Sequence, residues 1–219
     1  MSRTKLELIL LGVLLQRPQT GYDLTGFMDK AGRFMRDNTS MTQVYRSLRQ
    51  MEELGWLTHT VEPRPGAQDA KRYAVTDEGH DTFIHWLNEP YRPSEQPGGG
   101  AFFTLLRFRA TYIGVDSVLD LLDTEIAYRK TQIATNRYRD RTEWVDTTVS
   151  FDDELAGAVM DWIHHRGADR MDRHLESCLE LRAALAHGEL PLDSCPNPLL
   201  RTGEYRGPEL TPAMERSAR

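Results

Sequence analysis

Projected at about 100° per residue, the unbroken run from Met41 to Leu54 places Thr42, Gln43, Arg46, Arg49 and Gln50 on one side and Val44, Leu48 and Met51 on the other. The polar side carries the chemistry of hydrogen-bond readout. A guanidinium such as Arg46 grips two acceptors in a plane, as guanine offers them, and a carboxamide such as Gln43 offers the donor and acceptor that adenine needs. The hydroxyls of Ser40 and Thr42 suit phosphate or base contacts, and free amides at a helix start attract phosphate. Tyr45 lies at the edge of the apolar side, where its ring can pack while its hydroxyl reaches outward. A polar helix face is most often simply solvated, so this stripe acquires meaning only from the elements that hold it.

Those elements are legible in order. Thr4 with Glu7 forms a capping box ahead of an apolar run, which predicts a helix over about Lys5 to Leu15, ended by Pro18. Gly21-Tyr22-Asp23-Leu24 opens a shorter second helix with Leu24 and Phe27 inward, and Gly32 marks its end or a loop beyond it. Ser40 and Gln43 cap the third helix, and Gly55 stands where a left-handed residue ends it. Leu57 to Val61 and Lys71 to Val75 alternate as strands around the turn Pro63-Arg64-Pro65-Gly66, and Thr76 caps a fourth helix over Asp77 to Asn88. Three helices, a hairpin and a helix make a winged helix-turn-helix, in which the third helix enters a DNA major groove and the hairpin lies along the backbone. Arg64, Lys71 and Arg72 then sit on the wing, within reach of phosphates.

Pro90, Pro93, Pro97 and Gly98-Gly99-Gly100 predict a linker. Beyond it come an aromatic segment from Phe102 to Tyr112 and two long amphipathic helices, about Val115 to Trp144 and Phe151 to His187. Val115, Leu119, Leu122, Ile126 and Ile133 mark the first, and Leu155, Val159, Trp162, Leu175, Cys178, Leu179 and Leu185 the second. Helices of this kind seek a partner surface. The expected organisation is a DNA-binding domain over 1–88, a linker over 89–100, a helical dimerisation and effector domain over 101–190 and an irregular tail over 191–219. The fold class is mainly α.

Several motifs resemble those of the PadR family of transcriptional regulators: Leu11-Gly12 through Pro18, Gly21 to Leu24, Ser40 to Gly55 with Val44-Tyr45 and Leu48, Lys71-Arg72-Tyr73, and Val75-Thr76-Asp77-Glu78-Gly79. They run in family order over roughly the first 88 residues. The stretch from Trp162 to Leu185 is similar, less specifically, to the C-terminal helical domain of the longer members. The resemblance implies that Ser40, Thr42, Gln43 and Tyr45 face DNA, that Lys71 and Arg72 meet the backbone, and that the C-terminal helices form an intertwined homodimer. It also implies a small aromatic effector, since some members release DNA on binding phenolic acids or planar aromatic drugs. Met41 and Arg46 depart from the family pattern, each standing where a Pro is frequent.

Composition sets the remaining bounds. The chain has 219 residues, 39% of them hydrophobic, enough to bury a sizeable core. No run approaches the roughly 18 apolar residues of a membrane span, and no secretory signal opens the chain, so a cytoplasmic protein without a membrane partner is expected. Cys178 and Cys195 form no disulfide framework. The net charge of −6 lies entirely in the second half, because residues 1–88 hold 11 Lys and Arg against 11 Asp and Glu. That balance keeps a second reading open, a winged-helix module that binds protein rather than DNA. Phosphate loops, nucleophile elbows and zinc-protease pairs are absent from the sequence, which points away from an enzyme and from a cofactor. His165, Asp169, Asp172 and Glu176 have the spacing of metal ligands on one helix face, but Arg166, Arg170 and Arg173 between them favour a salt-bridged surface. Phe102, Phe103, Phe108, Tyr112, Tyr128, Trp144 and Trp162 either line an effector pocket or fill the helical core, the core being favoured.

Overall fold

A computed structural model describes residues 6–66, 69–138 and 152–188. Seven α-helices and three strands occur among them: α1 (Leu6–Leu14), β1 (Gln19–Thr20), α2 (Gly21–Asp29), α3 (Met41–Glu53), β2 (Leu57–Glu62), β3 (Ala70–Val75), α4 (Asp77–Leu87), α5 (Gly100–Tyr112), α6 (Val115–Asn136) and α7 (Asp153–Ala186). The described residues up to Arg182 pack as one compact unit, and Ala183 begins a second. None of the described helices is long and apolar enough to cross a membrane. Thr4, Trp144, Cys195 and the tail expected over 191–219 lie outside the described residues.

Local sequence rules account for the helix-hairpin-helix core. Ser40 is extended (φ −82°, ψ 156°), its Oγ accepts the Gln43 amide N–H, and Gln43 Oε1 accepts the Ser40 amide N–H at 2.9 Å. Two of the backbone donors left unpaired at the start of α3 are thereby satisfied. Replacing Ser40 with Ala is expected to cost about 1 kcal/mol in chemical denaturation; an unchanged midpoint would remove the cap's role. Gly55 ends the helix at φ 75°, a conformation that side chains resist. Val44, Leu48 and Met51 are fully buried, as their shared face requires.

Two features of this region go beyond the expected pattern. Thr20 and Asp23 form a second capping box at the start of α2, and Gln19–Thr20 adds a strand beside β3, giving a three-stranded antiparallel sheet in the order β1-β3-β2. Phe27, expected inward with Leu24, is only half-buried.

Gly99 and Gly100 start α5 rather than extending a loop, so the aromatic segment is helical. Its Phe108 packs against Phe83 of α4 with ring centroids 5.4 Å apart, and the Tyr112 hydroxyl donates to the Gly12 carbonyl of α1 at 2.6 Å. Helix α6 stops at Asn136, short of the expected Trp144. Its buried stripe is Val118, Leu121, Leu122, Glu125, Ile126 and Arg129, and Val115 is exposed.

The charged pair in that stripe organises the proline-rich segment. Arg129 and Glu125 are 1% and 0% exposed, and Arg129 Nε donates to Glu125 Oε1 at 2.7 Å. The other four N–H groups of Arg129 go to Gln132 Oε1 and to the backbone carbonyls of Ser94, Glu95 and Gln96. All five donors of the fork are used. Glu125 also accepts from the Tyr91 hydroxyl at 2.9 Å and from His174 Nε2 of α7 at 2.8 Å. At the other end of the segment the buried Arg109 donates to the Glu89 carbonyl at 2.8 Å. The linker is thus held by two buried guanidinium groups that read its backbone. Cys178, beside His174, is buried, and that burial with Glu125 nearby pushes its thiol up to about 11, so it stays protonated and unreactive.

Candidate nucleic-acid interface

Helix α3 presents Thr42, Tyr45, Arg46 and Arg49 together on one exposed face, opposite the buried Val44, Leu48 and Met51. Ser47, on the inner side, donates its hydroxyl to Glu7 Oε1 of α1 at 2.7 Å and so fixes the rotation of α3 about its axis. Tyr45 divides as its position suggests. It is 42% exposed, yet its ring lies so close to Gly21 that a Cβ there would stand 2.6 Å from Tyr45 Cε1. The glycine that opens α2 therefore exists to admit the tyrosine of α3.

Other candidates are committed elsewhere. Ser40 Oγ and Gln43 Oε1 are both used in the cap, so Gln43 keeps its amide donors free while its oxygen already accepts one bond from the Ser40 amide. Arg72 is bonded to Glu62 through Nε and, at 3.1 Å, through Nη2, while Nη1 donates to the Pro18 carbonyl at 3.1 Å. It braces β2, β3 and the turn before β1, and the Glu62 hydrogen bond raises its pKa and holds the carboxyl of Glu62 below the usual range. Lys71 Nζ lies 3.3 Å from Glu52 Oε2, and His59 Nδ1 lies 2.5 Å from Glu52 Oε1. Arg64 is exposed on the turn of the hairpin. The hairpin and α3 are therefore coupled through Glu52, a residue that sequence reasoning passed over; its signal was an acidic side chain in the last turn of α3, just ahead of a hairpin that carries His59 and Lys71. Tyr22 and Phe34 were likewise unforeseen as large exposed aromatics, at 71% and 72%, Phe34 lying under the Arg33 guanidinium.

The aromatic residues singled out for an effector pocket fall in separate places. Phe108 and Tyr112 pack on Phe83, Phe102 and Phe103 meet the His174 ring, and Trp162 is exposed on α7. Tyr128 donates to Glu95 at 2.9 Å, and Trp144 is outside the described residues. Of the four helix-face residues with metal-ligand spacing, Asp172 pairs with Arg137 at 2.5 Å and Asp169 lies 4.0 Å from Arg166. Of the interleaved arginines, Arg166 is in the second of these pairs and Arg170 donates to Gln96.

Residues 10–84, the span of α1 through most of α4, match the Transcriptional regulator PadR-like family. Over those residues the chain is similar to that family. A curated relative, the Probable transcriptional regulator Rv1176c of Mycobacterium tuberculosis, is 33% identical over 91 residues, which are 42% of this chain and 47% of that protein. The chain thus spans about half the length of the curated relative it matches. Among solved structures, the chain is similar to Bacillus subtilis PadR in complex with operator DNA (18% identity, TM-score 0.39, 82% of this chain and 98% of that one). The Vibrio cholerae virulence activator AphA is also similar (20% identity, TM-score 0.35, 87% and 99%). With TM-scores under 0.5, these likenesses add no argument to the PadR-like domain's own match.

Proposed function

We propose that this PadR-like chain represses transcription as a homodimer, each copy setting its α3 into the major groove of one half of a palindromic operator. The observation that carries the reading is α3 itself: a capped helix pinned by Val44, Leu48, Met51 and the Ser47–Glu7 bond, with Thr42, Tyr45, Arg46 and Arg49 turned outward. Residues 1–88 are assigned to DNA and residues 101–190 to the dimer. Leu155, Val159, Trp162 and Ile163 recur at helical spacing on the first half of α7, and all are exposed in the single chain. An unburied apolar stripe on a helix of 34 residues, about 50 Å long, suits the same stripe of a second copy. Occlusion of the promoter would give repression, and a small aromatic effector would relieve it.

Arg46→Ala is expected to weaken binding to the DNA upstream of the chain's own gene by about 1–3 kcal/mol and to relax specificity at one base pair, read by fluorescence anisotropy. Lys71→Ala is expected to do less, because its ammonium already faces Glu52. Salt-sensitive retention of that fragment in a gel shift, absent for a scrambled one, supports the regulator. Failure to retain any genomic fragment would leave the protein-binding module as the better reading.

A further inference from the structure

The hairpin has the look of a cationic arm in the sequence, yet its charges cancel in the fold. Lys71 Nζ lies against Glu52 Oε2, Arg72 is bonded to Glu62, and beside the exposed Arg64 the Asp69 carboxylate accepts from the Arg64 backbone amide. From Glu52 to Val75 the chain holds four acids, Glu52, Glu53, Glu62 and Asp69, against three bases, Arg64, Lys71 and Arg72, a balance of −1. The part of α3 ahead of Glu52 carries Arg46 and Arg49 and no acid, a balance of +2.

The two pairs on the hairpin differ in kind. Arg72 also donates to the Pro18 carbonyl, so it is a fixed brace of the sheet. The Lys71 side chain is 47% exposed, and Glu52 is its one ion-pair partner among the described residues. Glu52 is not free to follow the ammonium outward, because its other oxygen is paired with His59 Nδ1 on β2. An exposed pair of this kind contributes little to stability, so replacing one partner frees the other without unfolding the hairpin.

Each cation that settles on a phosphate releases condensed counterions and steepens the logarithmic salt dependence of binding by about 0.9. An ammonium with a carboxylate anchored 3.3 Å away brings no net charge to the backbone and adds little to that sequence-independent grip. We propose that Glu52 is a positioning residue that withholds the Lys71 ammonium from the DNA backbone, leaving the electrostatic hold on DNA of any sequence to α3. The inference rests on the regulator reading for its DNA partner.

Fluorescence anisotropy of the full chain with a labelled scrambled-sequence duplex, between about 50 and 200 mM salt, tests it. Glu52→Gln is expected to steepen the salt dependence by about 0.9 and to tighten binding about fivefold at the low-salt end. Glu53→Gln removes the same charge from the exposed neighbouring position and is expected to leave the slope unchanged. Lys71→Ala is expected to leave the slope unchanged by itself and to cancel the effect of Glu52→Gln in the double variant. Loss of a carboxylate that merely braced the hairpin would weaken binding and would not steepen its slope. The proposal is overturned if a folded Glu52→Gln keeps the wild-type slope, or if Glu53→Gln steepens it equally. It is also overturned if Lys71→Ala alone flattens the slope by about 0.9, a result that stands whether or not Glu52→Gln folds. The regulator reading fails separately: it falls if the wild type binds the DNA upstream of its own gene no better than the scrambled duplex while Glu52→Gln still steepens the slope. Absence of binding to either duplex, by wild type and Glu52→Gln alike, overturns both.

Discussion

Arg129→Met is expected to cost about 3–5 kcal/mol of folding stability, measured by urea denaturation of the full chain. Methionine preserves the apolar stem, so the loss isolates the guanidinium. Removing it leaves the fully buried Glu125 without its cation and takes the donors from the carbonyls of Ser94, Glu95 and Gln96. A loss under about 1 kcal/mol would show that the pair and the segment it holds contribute little beyond a hydrophobic substitute. Acid provides an independent reading. Burial pushes the Glu125 carboxyl toward protonation, but hydrogen bonds from His174, Arg129 and Tyr91 outweigh it and hold it below the ordinary value of 4.5. A carboxyl lowered in the folded state contributes stability that is present above its unfolded value and is lost as pH falls through the folded one. Wild-type stability should therefore decline below about pH 4.5, and Glu125→Gln should flatten that decline.

Phe83→Ala should be comparably damaging, about 3–5 kcal/mol in the same assay. The ring is fully buried and meets Phe108, Tyr112 and Trp86 at centroid separations of 5.4, 5.3 and 5.7 Å, so it joins α4 to α5 at a single point. The surroundings cannot easily close over the vacancy. On the α1 side a methyl at Gly12 would already stand 2.6 Å from Phe108 and 2.8 Å from Phe83, which leaves α1 no side chain to offer. A small loss would mean that α1 and α5 collapse toward each other more freely than this packing suggests.

These two sites also mark how far the sequence could be read. Helix α3, its cap, Gly55, the hairpin and α4 were legible because each is specified by neighbours in the chain: a hydroxyl three residues before a carboxamide, a glycine after an apolar run, alternation on both sides of a Pro-Gly turn. The two-residue strand β1 was not, since it exists only through pairing with β3 some 50 residues later. Glu125 and Arg129 were read past because charged residues belong on the surface unless they are paired, and their partners come from the proline-rich segment and α7. The same limit applies to the wing. Lys71 and Arg72 look like free cations in sequence, and the structure engages them with Glu52 and Glu62. The exposed polar face of α3 could be inferred from periodicity, whereas which of its side chains are already committed could not.

Helix α7 is held through Arg170, Asp172, His174 and Arg182, and His174, which meets Glu125, lies about 30 Å along the axis from Asp153. Geometry then amplifies small events. A tilt of about five degrees around that point would carry the Asp153 tip, with the exposed Leu155, Val159 and Trp162 behind it, by roughly 3 Å.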